Sequence, residues 1–308
     1  MVRHMLHLKD YTPAEIARIV DKTIEIKRNP QKYSHALDGK SLIMLFQKNS
    51  TRTRLSFEIA MTQLGGHAVF VDWRTTQVGM ASLADETKVM ARYCDAIMAR
   101  MKAHADMQSM AAASTVPVIN GCDEMYHPVQ ALCDLAIMKE KAGDLKGKKI
   151  VYAGIQNNVS NTLLDGATKM GMQVVFVTPE VHEISRDGEL IAAAKKTGLY
   201  REAAAKDLKK EVADADFVYT DTWVDMELFN DPAFAKEKER RLKVFMPLQI
   251  NAKLLEGSNA RVMHDMPIHE GFEMTRDAIG HANSIIFDQA EGRLHGEKAI
   301  LLFLLGKM

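Results

Sequence analysis

The sequence predicts an α/β protein with two doubly wound parallel-sheet domains that are joined by helices. Short apolar runs with the length of buried strands alternate with helical segments, which is typical of a parallel sheet covered on both faces. The alternation stops at residues 142–147 and then restarts. A chain of 308 residues also has room for two domains of ordinary size.

The first half opens with a helix and then alternates strands with helices. Thr12, Pro13 and Glu15 form a capping box with proline at the first helical position, so a helix is expected up to about Lys27. Strands are then predicted at 41–46, 67–72, 95–101 and 116–120, and helices at 56–64, 82–93, 106–113 and from 127 onward. These strands would form the sheet of the first domain.

The second half repeats the alternation. Strands are predicted at 149–153, 174–178, 216–220 and 261–264, and helices from 158 and at 289–305. We therefore expect one domain at 1–142, with the last helix (289–308) packing back on it, and a second domain at 143–288. Ligands of open α/β sheets bind beyond the carboxyl ends of the strands, so the residues that follow strands are the candidates for a site.

Composition and charge exclude several classes of protein. Lys plus Arg and Asp plus Glu both number 40, and this balance argues against a protein that binds nucleic acid or a membrane surface through a basic excess. The three cysteines lack C-x-x-C spacing and predict neither a disulfide framework nor a zinc site. Residues 1–10 contain no apolar signal core, so a soluble cytoplasmic protein is expected.

An anion site is predicted where the first strand meets the next helix. Ser50 can cap that helix, and the free N–H groups and the positive dipole end of its first turn attract anions. Thr51 and Thr53 add hydroxyl donors, and Arg52 adds a charged fork suited to phosphate. Arg54 would lie about 200° from Arg52 around the helix, so we expect Arg52 to bind the ligand and Arg54 to be structural.

Two long motifs stand in the chain in order. The first, F-x-x-x-S-T-R-T-R-x-S-F-E, runs without a gap from Phe46 to Glu58, and the second, H-P-x-Q-x-L-x-D-L, runs from His127 to Leu135. Both resemble signatures of the aspartate/ornithine carbamoyltransferase family. The resemblance covers essentially the whole chain, and the tail Phe287–Arg293 looks like the ornithine branch. It implies transfer of the carbamoyl group of carbamoyl phosphate to an amine, with release of phosphate.

The same resemblance implies roles for the residues of the donor site. The residues that would hold the phosphate follow the first strand: Ser50, Thr51, Arg52 and Thr53. Arg100 and His127 would be the catalytic residues that polarise the carbamoyl oxygen, and Gln130 would hold the carbamoyl amide. Gln77 lies on a loop that in relatives reaches a neighbouring subunit's site. A homotrimer or a multiple of trimers is therefore implied, and no cofactor is expected.

The acceptor site is predicted in the second domain, where the chain departs from the ornithine branch. Its candidates, taken from the resemblance, are Asn158, Asp221, Asp225, Met226, Asp265, Met266 and Arg293. Asp221 suits an α-ammonium group. Asp225 replaces the branch's serine, and Asp265 replaces the cysteine that sits beside the attacking amine. Both changes add a carboxylate, which would repel the acceptor's own carboxylate and favour a second ammonium.

Three explanations of these changes remain open. The acceptor is a more cationic amine such as a diamine, or it is ornithine and Asp265 orients or deprotonates the δ-amine in place of the thiol. In the third, Asp225 and Glu227 point to solvent. A metal at His264, Asp265 and His269 is not expected, because the spacing lacks helical context and a fourth ligand.

Two other classes of protein compete with the transferase. The loop Gly154–Asn158 suggests a nucleotide-binding oxidoreductase, but it lacks the second and third glycines of G-x-G-x-x-G. A non-catalytic relative that binds carbamoyl phosphate is disfavoured by the intact Arg100, His127 and Gln130. If the site supplies no dedicated base, activity should rise from about pH 7 to about pH 9, because little of an alkyl amine is neutral at pH 7.

Overall fold

The computed structural model describes residues 2–225 and 228–308. The strands of this part of the chain are Ser41–Phe46 (β1), His67–Asp72 (β2), Ala96–Arg100 (β3), Val118–Cys122 (β4), Lys149–Ala153 (β5), Gln173–Val177 (β6), Tyr200–Glu202 (β7), Phe217–Tyr219 (β8) and Arg261–Met263 (β9). Its α-helices are Pro13–Arg28 (α1), Thr51–Gln63 (α2), Leu83–Met90 (α3), His104–Ala113 (α4), Pro128–Ala142 (α5), Asn158–Lys169 (α6), Gly188–Lys196 (α7), Leu208–Ala213 (α8), Ala235–Phe245 (α9), Ala252–Leu255 (α10), Arg276–Ile279 (α11) and Ile286–Leu304 (α12).

The strands form two parallel sheets. The first sheet has the order β2-β1-β3-β4, and the second has the order β7-β6-β5-β8-β9. Among the inner strands, β1 and β5 are mostly apolar and almost entirely buried, as expected for strands covered on both faces. The predicted fold class, two doubly wound parallel sheets joined by helices, is confirmed.

Helix α2 begins earlier than the predicted start at Ser56. The Ser50 Oγ accepts the backbone N–H of Thr53 at 3.4 Å, so the helix starts at Thr51, close behind β1. The T-R-T-R segment presents no apolar stripe, and hydrophobic periodicity alone could not detect this turn. The capping box of α1, by contrast, is confirmed at Thr12 and Glu15.

Helix α12 packs back on α1, α2 and α5, as predicted. Gly292 and Gly296 make this approach possible, because a Cβ atom at either position would overlap Ile137 or Cys133 of α5. One continuous apolar core contains residues of α1, α5, α12 and both sheets. None of the described helices is both long and apolar enough to cross a membrane.

Candidate active site

A cavity of about 740 Å³ lies where the carboxyl ends of the first sheet's strands face those of the second sheet. Its lining contains the donor-site candidates Ser50, Thr51, Arg52, Thr53, Arg100, His127 and Gln130. It also contains the acceptor-site candidates Asn158, Asp221, Asp225, Asp265, Met266 and Arg293. The structure therefore brings both predicted sets of residues to one cavity.

Two candidates are not in this set. Gln77 is exposed before the short turn Val78–Met80 and does not line the cavity of its own chain. Met226 lies outside the described residues, as does the neighbouring Glu227.

The amino end of α2 opens into the cavity. Ser50 Oγ donates to Thr53 Oγ1 at 3.1 Å, and Arg293 Nη2 donates to the same oxygen at 3.1 Å. The first turn of this 13-residue helix thus presents free backbone N–H groups beside two hydroxyls and a guanidinium. Such a turn is well suited to an anion.

Arg52 and Arg54 point in different directions, as helix geometry predicts. Arg52 is partly buried in the cavity lining; burial lowers the pKa of its guanidinium, while the Asp265 carboxylate acts in the opposite direction. Arg54 donates to Glu58 Oε1 at 3.1 Å and lies 3.7 Å from the centre of the Phe70 ring. Arg52 is the arginine of this pair that can reach a ligand.

His127 lies at the start of α5 among three guanidinium groups. Burial lowers its pKa well below the ordinary value, and the nearby charges of Arg293, Arg100 and Arg52 lower it further. Its imidazole is therefore neutral at pH 7 and can still donate one N–H. Arg100 ends β3 and is held by the carbonyl of Gly121 at 3.3 Å. Together the side chains form a cationic region with a neutral hydrogen-bond donor.

The amide of Gln130 is fixed in one orientation. Arg293 Nη1 donates to Gln130 Oε1 at 2.6 Å, and Gln130 Nε2 donates to Asp134 Oδ1 at 2.8 Å. Asp134 also accepts from Tyr219 and Gln289, and its burial raises its pKa to about 6. Our sequence reasoning missed Asp134 as a support for the site. The available signal was its place one helical turn after Gln130, within the second motif.

Arg293, which the sequence predicts for the acceptor site, lines the cavity but contacts residues predicted for the donor site. Its guanidinium contacts Thr53 and Gln130, which are donor-site candidates, and pairs with Glu297 one turn along α12. Its hydrogen bonds are thus made to the set of residues predicted for the donor. The resemblance of the tail indicated a site residue but could not tell which end of the site it faces.

Asp221 and Asp265 lie side by side at the acceptor end. Asp221 accepts the side-chain N–H of Asn157 at 2.7 Å and the backbone N–H of Thr222 at 2.6 Å. Asp265 Oδ1 is buried and has no hydrogen-bond partner among the described residues. Burial and the neighbouring Asp221 carboxylate raise the pKa of Asp265 well above its ordinary value. Asp265, predicted as a departure from the ornithine branch, therefore has a buried oxygen in the cavity lining.

Asp221, His264 and Asp265 each have one atom that could bind a metal ion, a carboxylate oxygen or an imidazole nitrogen. These three atoms all lie within 4.8 Å of one another. His264 Nδ1, however, accepts the backbone N–H of Met266 at 2.8 Å, so that lone pair is already used. The carboxylates of Asp221 and Asp265 are then the groups that this cluster can offer to a ligand. From the sequence, we considered His269 as a possible metal ligand, but His269 does not belong to this cluster.

The other acceptor candidates lie towards the cavity rim. Asn158 Nδ2 donates to the carbonyl of Asp123 at 2.5 Å. The Asp225 side chain is 56% exposed and lies 3.8 Å from His182 Nε2, so the solvent-facing explanation holds in part for this residue. Lys48 and Arg241 line a recess that shares Asn158 and Asp225 with the cavity.

Two family models match consecutive parts of the chain. Residues 3–140 match the model described as the carbamoyl-P binding domain of aspartate/ornithine carbamoyltransferase. Residues 146–304 match the model described as its Asp/Orn binding domain. Both matches agree with the order of the two motifs along the chain.

Individual proteins give the same result. The chain is 43% identical over 312 residues to an ornithine carbamoyltransferase of Pyrococcus horikoshii, with 99% of this chain and 96% of that protein covered. The solved ornithine carbamoyltransferase of Pyrococcus furiosus superposes with a TM-score of 0.90 at 40% identity, covering 99% of this chain and 98% of that one. The Thermus thermophilus structure of the same name gives 0.85 at 35% identity, with 98% of each chain covered.

Proposed function

Since the chain belongs to the aspartate/ornithine carbamoyltransferase family, we propose that it transfers the carbamoyl group of carbamoyl phosphate to the side-chain amine of ornithine. One observation carries the proposal. The anion site around Arg52, Arg100 and His127 shares a single cavity with the carboxylates Asp221 and Asp265. A phosphorylated donor and a cationic acceptor can therefore meet there.

The donor's phosphate is assigned to the amino end of α2. The free N–H groups of the first turn and the hydroxyls of Ser50, Thr51 and Thr53 supply neutral donors. Arg52 supplies a fixed positive charge beside them. This combination favours the dianion that the reaction releases, so it stabilises the leaving group as the bond to phosphate breaks.

The carbonyl carbon of the donor is attacked by the amine, and negative charge develops on the carbonyl oxygen. We assign Arg100 and the neutral imidazole of His127 as donors to that oxygen. Gln130 Oε1 is oriented by Arg293 and keeps a second lone pair, which can accept an N–H of the carbamoyl group. Each oxyanion donor of this kind contributes roughly 10²–10³ in rate.

The acceptor is assigned to the space between the carboxylate pair and the recess at the rim. We assign the reacting amine to Asp221 and Asp265. This revises the expectation that Asp221 binds the α-ammonium, because oxygen atoms of the two carboxylates lie within 4.8 Å of each other. The amino-acid end then faces Lys48 and Arg241, whose positive charges complement an α-carboxylate. Asn158 lies between these two ends of the site. The Asp265 carboxylate then need not repel ornithine, because the α-carboxylate of ornithine binds away from it. Asp225 lines the recess itself, where the charges of Lys48 and Arg241 offset its repulsion.

We also propose how the chain is organised and assembled. Residues 1–142 with 289–308 would hold the donor, and residues 143–288 would hold the acceptor. We propose a homotrimer in the cytoplasm. The trimer is supported by Gln77, which is exposed away from its own cavity, and by apolar side chains exposed on the same half of the chain. The three free cysteines suit a reducing compartment.

The test is a panel of amines with carbamoyl phosphate. Ornithine, lysine, 2,4-diaminobutyrate and putrescine would be compared by phosphate release and by mass spectrometry of the product, with ornithine expected to give the highest kcat/KM. Arg52→Ala should lower the rate roughly 10²–10³-fold. Arg54→Ala is the matched control on the same helix, and it should stay within a few-fold of wild type because Arg54 pairs with Glu58.

Two results would contradict the proposal in different ways. A clear preference for putrescine would replace ornithine as the acceptor and leave the reaction class intact. Thermal stabilisation by carbamoyl phosphate without product from any amine would instead identify a non-catalytic binding protein.

A further inference from the structure

The two carboxylates at the acceptor end differ in their hydrogen bonding. Asp221 has its two partners, Asn157 and Thr222, whereas Asp265 Oδ1 is buried with no partner among the described residues. Ligand atoms of the two carboxyl groups lie within 4.8 Å of each other. Two like charges at this distance in a buried site disfavour double ionisation, so the pair keeps one proton. That proton belongs on Asp265, because both carboxylate oxygens of Asp221 already accept hydrogen bonds, whereas Asp265 Oδ1 accepts none among the described residues.

The pair lies next to the donor rather than at the rim. The negative charge of Asp265 acts to raise the pKa of the Arg52 guanidinium and of the buried Cys122 thiol. Both side chains line the cavity on the donor side. Of the groups suited to an α-carboxylate, Arg241 lies in the recess beyond, and Lys48 lines both the recess and the cavity. An acceptor that spans the site must therefore present its reacting amine to the pair.

We propose that Asp265 is the base that removes the proton of the attacking amine, and that the acceptor consequently binds with this amine as an ammonium ion. The proposal rests on the function proposed above and names the form in which that substrate is recognised. It assigns the pair a task that neither carboxylate can perform alone. Asp221 stays charged and holds the cation, while Asp265 exchanges protons with it.

The proton balance closes over one turnover. The free enzyme holds Asp221 charged and Asp265 protonated. The ammonium displaces the Asp265 proton into solvent, and the Asp265 carboxylate then takes one proton from the nitrogen. The nitrogen lone pair forms the bond to the carbonyl carbon, and the carbon–oxygen bond to phosphate breaks. The second nitrogen proton leaves with the phosphate, and Asp265 is again protonated.

Other charged or titratable groups surround Asp265. They come from α2, β4, α5, β5, β8 and the segments after β8 and β9: Arg52, Cys122, Asp134, Tyr152, Tyr219, Asp221 and His264. Arg52 is the fixed cation among them, and it keeps the Asp265 carboxylate accessible as a charged base.

The pH dependence of kcat/KM for ornithine, with carbamoyl phosphate saturating, tests the role of Asp265. In wild type, kcat/KM should rise about tenfold per pH unit and then level off where the Asp265 proton is lost, well below the amine pKa of about 10.4. The pH at which the wild-type profile levels off is its break. In Asp265→Asn this break should disappear, and kcat/KM should continue to rise towards the amine pKa. Above the pH of the wild-type break, the ratio of wild-type to variant kcat/KM should therefore fall about tenfold per pH unit.

Two further variants separate this role from a structural one. Asp265→Glu should restore the break, because it restores a carboxyl group. Asp225→Asn, which removes a carboxylate at the rim, should keep the break whatever its effect on KM. A purely structural defect at position 265 would lower activity by the same factor at every pH, and this outcome would overturn the proposal.

Calorimetry on the wild-type enzyme guards against a variant that fails to fold. Ornithine would be titrated into enzyme with inorganic phosphate, in buffers of different ionisation enthalpy, below and above the break. About one proton should be released below the break and none above it; no release at either pH would overturn the proposal. Absence of turnover with ornithine in wild type would instead contradict the proposed function.

Discussion

Arg293 and Glu297 form an ion pair that is shut off from solvent. Their side chains are 4% and 0% exposed, and the Arg293 Nε lies 3.1 Å from Glu297 Oε1. Burial raises the pKa of Glu297 from 4.5 to about 7, against the attraction of Arg293. Between these two values the folded protein binds more protons than the unfolded chain. This group therefore makes the free energy of unfolding fall as the pH rises through that window.

The substitution Glu297→Gln should remove this pH dependence. Glutamine resembles the protonated carboxyl group, so the variant should match wild type at pH 5 and become relatively more stable at pH 8. The difference should be on the order of 1–3 kcal/mol. Urea unfolding of both proteins at several pH values would measure it. If the free energy of unfolding at pH 8 is instead larger for wild type than for Glu297→Gln, the attraction of Arg293 outweighs the cost of burying the Glu297 carboxylate.

At the residue scale, the sequence predicted which residues line the cavity better than it predicted how they pair. Ser50, Arg52 and His127 belong to contiguous motifs at junctions of strands and helices, so their local geometry follows from nearby sequence. The partners of Arg293 could not be predicted, because Thr53 is 240 positions away along the chain. The pairing of Asp265 with Asp221 likewise depends on packing between separate strand ends.

At the element scale, the contact between α5 and α12 leaves no room for added atoms. A Cβ at Gly296 would overlap Cys133 Sγ, and a Cβ at Gly292 would lie 2.5 Å from Ile137 Cγ1. Both glycines sit inside a helix, where alanine would otherwise be preferred. Close packing therefore explains their presence.

The substitution Gly296→Ala should destabilise the protein. Overpacking costs about 1–3 kcal/mol, which exceeds the ~1 kcal/mol that alanine gains in a helix. Urea unfolding should show the loss as a lower midpoint at unchanged slope. Gly188→Ala is the control, because nothing lies within 4 Å of a Cβ at that first residue of α7. Equal stability of Gly296→Ala and wild type would contradict this account of the contact.

Most strands could be predicted because they are short, mainly apolar runs, and β1, β2 and β5 have the predicted bounds. The edge strand β7 was missed, since it has three residues and two of them are exposed. The helix α9 was also missed. Its sequence is mostly charged, and a single residue, Phe245, is fully buried. Short or polar elements are stabilised by tertiary contacts that local patterns do not contain.

At the scale of the whole molecule, exposed apolar side chains concentrate on one part of the first half. Ten large apolar residues are exposed among the described ones, and six of them fall between positions 55 and 93: Leu55, Ile59, Val69, Met80, Val89 and Tyr93. Gln77 lies in the same stretch. Exposed apolar side chains of this size favour contact with another subunit, which would remove them from water.

If Gln77 completes a neighbour's site, two inactive variants should complement each other. Arg52→Ala and Gln77→Ala would be mixed, dissociated in mild urea and reassembled, and activity should return in mixed trimers whose mass is checked by light scattering. Arg52→Ala mixed with His127→Ala should recover nothing, because both residues line the same chain's cavity. Failure of the first mixture to regain activity would contradict the shared site.

The long path of α12 sets the order in which the site can be completed during synthesis. Ribosomes release a chain from its amino end, so the first sheet and the turn at Ser50 emerge early. Arg293, which holds both Thr53 and Gln130, is the last of the donor-site side chains to appear. A nascent chain that has finished its first sheet therefore still lacks the guanidinium that fixes the Thr53 hydroxyl and the Gln130 amide, so the cavity lining is completed only when α12 has emerged.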